Sequence, residues 1–97
     1  MKKAIIYVRG HNQETQEIRC RLYAEDKGYK LLFVTTDIET VNNCDVLIVA
    51  KPSRISRNSF TYYETVNKFK ENGIEIEFAT DNEYAVNHLR FAKEFLK

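Results

Sequence analysis

Short apolar runs alternate along this chain with longer polar, helix-favouring segments. Ala4-Ile5-Ile6-Tyr7-Val8 is apolar and rich in β-formers, which predicts a first strand. Residues 12 to 27 favour a helix, with Ile18, Leu22 and Ala24 expected on its inner side and Gly28 as its stop. Leu31-Leu32-Phe33-Val34 predicts a second strand, and Cys44 to Ala50 a third. Asn58 and Ser59 are good N-cap residues for a helix running to Asn72, with Tyr62, Val66 and Phe69 inward and Gly73 at its end. Ile74-Glu75-Ile76-Glu77-Phe78 alternates, so a fourth strand has one wet face and belongs at an edge or under partial cover. Asp81 or Asn82 caps a last helix reaching residue 97.

Strands alternating with helices predict an α/β fold, a small four-stranded and mainly parallel sheet flanked by helices. Residues 37 to 43 separate the second and third strands, which leaves room for one or two helical turns and no full crossover helix. The 97 residues read as a single domain without repeats or linkers, and no separate C-terminal DNA-binding domain is expected.

Charge changes this picture only locally. Fifteen Lys and Arg stand against fourteen Asp and Glu, a net charge of +1, so the chain lacks the global basic footprint of a free-standing nucleic-acid binder. Any phosphate recognition has to come from a cluster. Cys20 and Cys44 have no metal-ligand spacing and read as reduced structural thiols, so no metal and no cofactor are expected, and the expected location is cytoplasmic. No apolar run approaches a membrane span, and the start Met1-Lys2-Lys3 leads to an apolar run that ends at Arg9, too soon for a signal peptide.

The cluster is predicted by topology. Ligands of parallel sheets sit beyond the carboxyl ends of the strands. There the chain places Arg9-Gly10-His11-Asn12 after the first strand and Lys51-Pro52-Ser53-Arg54-Ile55-Ser56-Arg57-Asn58 after the third. If those strands are neighbours, Arg9, Arg54, Arg57 and Lys51 gather around one spot, where guanidinium groups would bind phosphate through forked, charge-assisted hydrogen bonds. A solvated charged loop is the plainer reading of the same residues.

These segments resemble the catalytic domain of the serine recombinases, the resolvases and invertases. Tyr7-Val8-Arg9 resembles the opening Y-x-R strand of that family. Gln13 or Gln16, with Tyr23-Ala24 and Gly28-Tyr29, is similar to its first helix and the turn that follows. Asp37 stands where the family has an acidic residue after the second strand. Asp45 to Lys51, followed by Arg54-Ile55-Ser56-Arg57, resembles D-x-L-x-V-x-K-x-D-R-x-x-R, and Gly73-Ile74 resembles the start of the next strand.

The resemblance implies a serine that attacks a DNA phosphodiester while arginines stabilise the phosphoryl charge. By the Y-x-R-x-S spacing the nucleophile position holds His11, and the aspartate before the first loop arginine is replaced by Ser53. A nucleophile must lie in line with the leaving oxygen, and a displacement of 1 Å costs about 10²-fold. His11 is therefore expected not to function, and whether any enzymatic activity survives is left uncertain, with inactivity the expectation. Tyr7, Arg9, Lys51, Ser53, Arg54 and Arg57 are the expected phosphate or DNA contacts, and Asp37 fills the acidic position. The segment between the second and third strands is shorter than the mobile arm and helix of the family, and the final helix is shortened.

Tyr84, His88, Phe91 and Phe95 form a stripe on the last predicted helix, next to a second stripe of Ala85, Leu89, Ala92 and Leu96. One stripe suffices to dock the helix, so the first is an expected interface, for a homodimer or for a heteromer with a full-length recombinase. The reading is thus a recombinase-like domain of DNA recombination in a mobile-element setting, catalytically inactive, binding a partner protein or the DNA backbone. Two alternatives stay open: an active strand-transfer enzyme with an altered nucleophile, and a small anion- or nucleotide-binding module.

Overall fold

The computed structural model describes residues 1–79. Four strands, β1 (Lys3–Tyr7), β2 (Lys30–Thr35), β3 (Val46–Val49) and β4 (Glu75–Phe78), form one sheet in the order β2-β1-β3-β4. All three pairings are parallel. Helix α1 (Gln13–Lys27) connects β1 to β2, and helix α2 (Ser59–Glu71) connects β3 to β4. Single 3-10 turns at Ile38–Thr40 and Pro52–Arg54 fill the remaining connections.

The fully buried strands are the central ones. Ala4, Ile5 and Ile6 of β1 and Val46 to Val49 of β3 have no exposed surface, as expected of parallel strands covered on both faces. Alternate residues feed two cores. Ala4, Ile6, Val8, Val46, Ile48 and Ala50 pack with Cys20, Tyr23 and Ala24 of α1. Ile5, Tyr7, Leu47 and Val49 pack with Val41, Ile55, Phe69 and Ile74 on the face of α2. The helices therefore cover opposite faces, and the chain winds outward from the centre in both directions.

Helix α1 corrects one sequence expectation. Its buried positions are Gln16, Cys20, Tyr23 and Ala24, a stripe at i, i+4, i+7 and i+8. Ile18 lies on the far side of that stripe and is 42% exposed, while Leu22 is half-buried at its margin. The helix is aligned by Tyr23 and Cys20, and a glutamine takes the inner position of its first turn. Gly28 ends it at φ 73, with its N–H donating to the carbonyls of Ala24 and Glu25. A second difference is small: β3 is four residues long, and Asp45 just before it accepts from the backbone N–H of Lys3 at 2.8 Å.

The strand alternation at 74 to 78 places β4 at one edge of the sheet, paired with β3 alone. The predicted last helix, with Tyr84, His88, Phe91 and Phe95, lies outside the described residues. Among the described residues no helix is long and apolar enough to cross a membrane.

Candidate phosphate site at the ends of strands β1 and β3

The strand order reverses direction between β1 and β3, which makes the gap beyond their carboxyl ends the topological switch point of the sheet. The two strands pair in register, Tyr7 opposite Val49, so the segments that follow them leave the sheet side by side.

The first segment is held by Gln16. Its side chain is 4% exposed and its carboxamide is satisfied at both ends. Oε1 accepts from the Arg9 backbone N–H at 3.1 Å, and Nε2 donates to the carbonyls of Arg9 at 2.8 Å and His11 at 2.7 Å. A glutamine in the first turn of a helix thus replaces the strand partner that the backbone loses when it leaves β1. The loop turns through two left-handed residues, Gly10 at φ 79 and Asn12 at φ 60. Glycine suits position 10 for a second reason: a Cβ there would stand 3.0 Å from Nη1 of Arg54, so the guanidinium would have to shift.

Two arginines stitch the segments together. Arg9 Nη1 donates to the Ile55 carbonyl at 3.0 Å, and Arg54 Nη1 donates to the Arg9 carbonyl at 3.3 Å. Ile55 anchors the second segment in the core beside α2 at 5% exposure. The polar residues around the arginines have local tasks. The Asn58 side chain accepts from the N–H groups of Phe60 and Thr61 and caps α2, and Ser56 Oγ accepts from the Asn58 N–H.

Each residue singled out in the sequence can now be located. Arg9 and Arg54 are joined, and Lys51 lies with Arg54 on one cleft. Arg57 is exposed in the turn before α2, and Ser53 is half-buried in the 3-10 turn. Tyr7 is buried in the core of the α2 face at the end of β1. His11 is exposed, its carbonyl bound by Gln16. Asp37 lies one strand away, beyond β2, where its side chain accepts from the Glu39 N–H at 3.0 Å and caps the 3-10 turn.

The cleft has a volume of about 160 Å³ and is lined by Asn12, Thr15, Gln16, Arg19, Ala50, Lys51 and Arg54. Arg19 was not singled out in the sequence, because on a polar helix an arginine reads as surface. The available signal was its spacing, one helical turn past the inward Gln16. Beneath it, burial pushes the Cys20 thiol up to about 12, an effect the Arg19 guanidinium partly opposes. The ion pairs among the described residues, Arg21 with Glu17 and Lys68 with Glu39, leave the loop arginines out. No three His, Cys, Asp or Glu side chains come together among the described residues as a metal site would require.

Comparison with known proteins bears on the fold and the family. The family model for the resolvase N-terminal domain matches residues 34–95, a span that holds Asp37, Lys51, Ser53, Arg54 and Arg57 and starts after Tyr7, Arg9 and His11. Among solved structures, the chain is similar to the C-terminal catalytic domain of ISC1926 TnpA, an IS607-like serine recombinase. The TM-score is 0.65 at 22% identity, over 93% of this chain and 78% of that one. No curated protein matches in sequence. With nearly two thirds of its length inside the family model and its sheet superimposing on a recombinase catalytic domain, the chain belongs to the resolvase N-terminal domain family of serine recombinases.

Proposed function

We propose that this domain serves DNA recombination as a catalytically inactive recombinase domain that holds DNA phosphates at the ends of β1 and β3. The observation that supports the reading is the pair of hydrogen bonds across the switch point, Arg9 to the Ile55 carbonyl and Arg54 to the Arg9 carbonyl, which sets guanidinium groups on two mutually braced loops. Arg54, Arg57 and Lys51 supply the charge, Ser53 a hydroxyl, and Arg9 braces the loop from which they project. Tyr7 anchors the end of β1 in the core, two residues before Arg9. Pre-organisation matters here, because charges fixed in place lose little entropy when a phosphate arrives.

Strand cleavage asks for more. In-line attack requires a nucleophile within about 3 to 3.5 Å of phosphorus and aligned with the leaving oxygen. At the nucleophile position the imidazole of His11 holds its nitrogens farther from the backbone than a serine would hold its oxygen. Ser53, at the position of the family's acidic residue, cannot accept a proton as a carboxylate would, and Asp37 is engaged in capping a turn beyond β2. Residues 1–97 act as one catalytic-type domain in a mobile-element setting, and the stripe Tyr84, His88, Phe91 and Phe95 meets a second copy or a full-length recombinase.

The test is incubation with supercoiled plasmid followed by denaturing electrophoresis. Neither the native chain nor His11→Ser is expected to give a covalent protein–DNA adduct, since the serine alone does not restore the acidic partner. An adduct with either protein would overturn the inactive reading. An adduct with the native chain would identify an altered nucleophile.

A further inference from the structure

We infer that the outer edge of β2 is a pairing surface for the β2 edge of a second copy of this chain, antiparallel across a two-fold axis. The inference stands apart from the DNA-holding role and from the association proposed for the stripe of Tyr84 to Phe95.

The two edges of the sheet are built differently. Strand β4 is four residues long and carries Glu75 and Glu77, and a short, charged edge resists pairing with another chain. Strand β2 is six residues long and, after Lys30, runs Leu31-Leu32-Phe33-Val34-Thr35 with no charge and no proline. Its one protective device is the register shift against Ala4 and Ile5 of β1. Among the described residues no strand pairs with its outer side. The Thr35 carbonyl accepts from the Val8 N–H, so Val34, one residue earlier, turns its own N–H and C=O away from β1. Apolar surface gathers at the same edge. Phe33 is 43% exposed, and the exposed Ile18 of α1 borders a groove with Val34, Thr35 and Thr36.

Charge selects the occupant and its direction. Lys3 and Lys30 stand side by side where β1 and β2 begin, with Lys2 just before them. At the carboxyl end of β2, Glu14 and Glu17 border the groove, Glu17 being paired with Arg21, and Asp37 follows in the connection. A parallel, in-register copy would set lysine against lysine. An antiparallel copy sets the basic end of each β2 against the acidic end of the other, and the two-fold axis makes that contact twice. With the axis at Phe33, near the middle of the strand, the two Phe33 rings meet as a cross-strand aromatic pair, and Lys30 of one copy falls beside Thr36 and Asp37 of the other. The two four-stranded sheets then continue as one. The contact is small beside the about 1,200 to 2,000 Å² of a standard interface, so self-association near about 100 µM is expected.

The test combines sedimentation with amide hydrogen exchange of the ¹⁵N-labelled chain, from about 10 µM to about 1 mM. The mass is expected to rise towards a dimer, and exchange of the outward Val34 N–H to slow as it does. Phe33→Lys puts a charge at a position that is already half exposed, and should abolish both changes. Lys30→Glu and Thr36→Lys, both at exposed positions, should each weaken association about tenfold, because each brings like charges together twice. An equimolar mixture of these two variants should recover it, since the mixed pair has one native contact and one reversed Glu–Lys contact. The mixture decides the matter if Phe33→Lys does not fold. The inference is overturned if Val34 exchange is independent of concentration, even where the mass rises, since association would then use another surface. It is overturned equally if folded Phe33→Lys associates as the native chain does, or if the mixture stays as weak as its components.

Discussion

Gln16 does for the β1 loop what a neighbouring strand would do. It answers the N–H and C=O of Arg9 and the C=O of His11 with one buried side chain. Gln16→Leu keeps the volume and removes all three part-buried bonds. It should cost about 1 to 3 kcal/mol, read as a lower urea midpoint with an unchanged slope. Gln13→Ala, at an exposed position of the same turn, should stay within about 0.5 kcal/mol of the native chain. Equal effects of the two would mean that Gln16 is a bystander. At this scale the sequence disclosed the charges and concealed their supports. Arg54 and Arg57 are conspicuous after a buried strand, and Asn58 announces a cap. A glutamine in an inward position looks like helix surface until the Cys20–Tyr23–Ala24 stripe is known, and Arg19 follows from Gln16 by one turn.

Between elements, one polar contact spans the sheet. The hydroxyl of Tyr23 on α1 donates to Glu77 of β4 at 2.7 Å, and that of Tyr29, at the start of β2, donates to both carboxyl oxygens at 2.9 and 3.0 Å. Burial first, and then the hydrogen bond and charge of Glu77, push the Tyr29 phenol up from 10.0 to about 12. A group whose folded value is raised favours folding in full below its unfolded value and loses that contribution as pH rises through the folded value. Stability should therefore fall between pH 10 and about pH 12 as the unfolded phenol ionises and the folded one does not. Tyr29→Phe should flatten that decline in urea titrations, and an unchanged decline would remove Tyr29 as its source. The alternation of Ile74 to Phe78 made the edge position of β4 legible, because an edge strand has a wet face. The bond from Glu77 to two tyrosines was not legible, since pairing across 54 and 48 residues depends on which helix face turns inward. Ile18 misled for the same reason: an apolar residue on a mostly polar helix suggests the inner side, and tyrosine and cysteine packing set a different one.

For the whole molecule, the order β2-β1-β3-β4 turns a nearly neutral chain into one with a directed positive site. Two βαβ-type excursions start from adjacent strands, so both follow-on loops meet at the switch point, and this much was readable from the order of strands and helices. The proposed association belongs to this scale. A patch of several hundred Å² of apolar surface is unusual on a monomer. If the stripe Tyr84, His88, Phe91 and Phe95 faces a partner, Phe91→Asp should remain folded and sediment as a monomer where the native chain self-associates at micromolar concentrations or above. Loss of folding would assign Phe91 to the core instead. The central claim is that the arginines at the switch point hold DNA phosphates, and the most direct measurement is the salt dependence of duplex binding by fluorescence anisotropy. Affinity for the native chain should fall linearly on a double-logarithmic plot, and Arg54→Gln should weaken binding to all sequences alike and reduce the slope by about 1. A folded Arg54→Gln variant with the native affinity and slope would contradict the account.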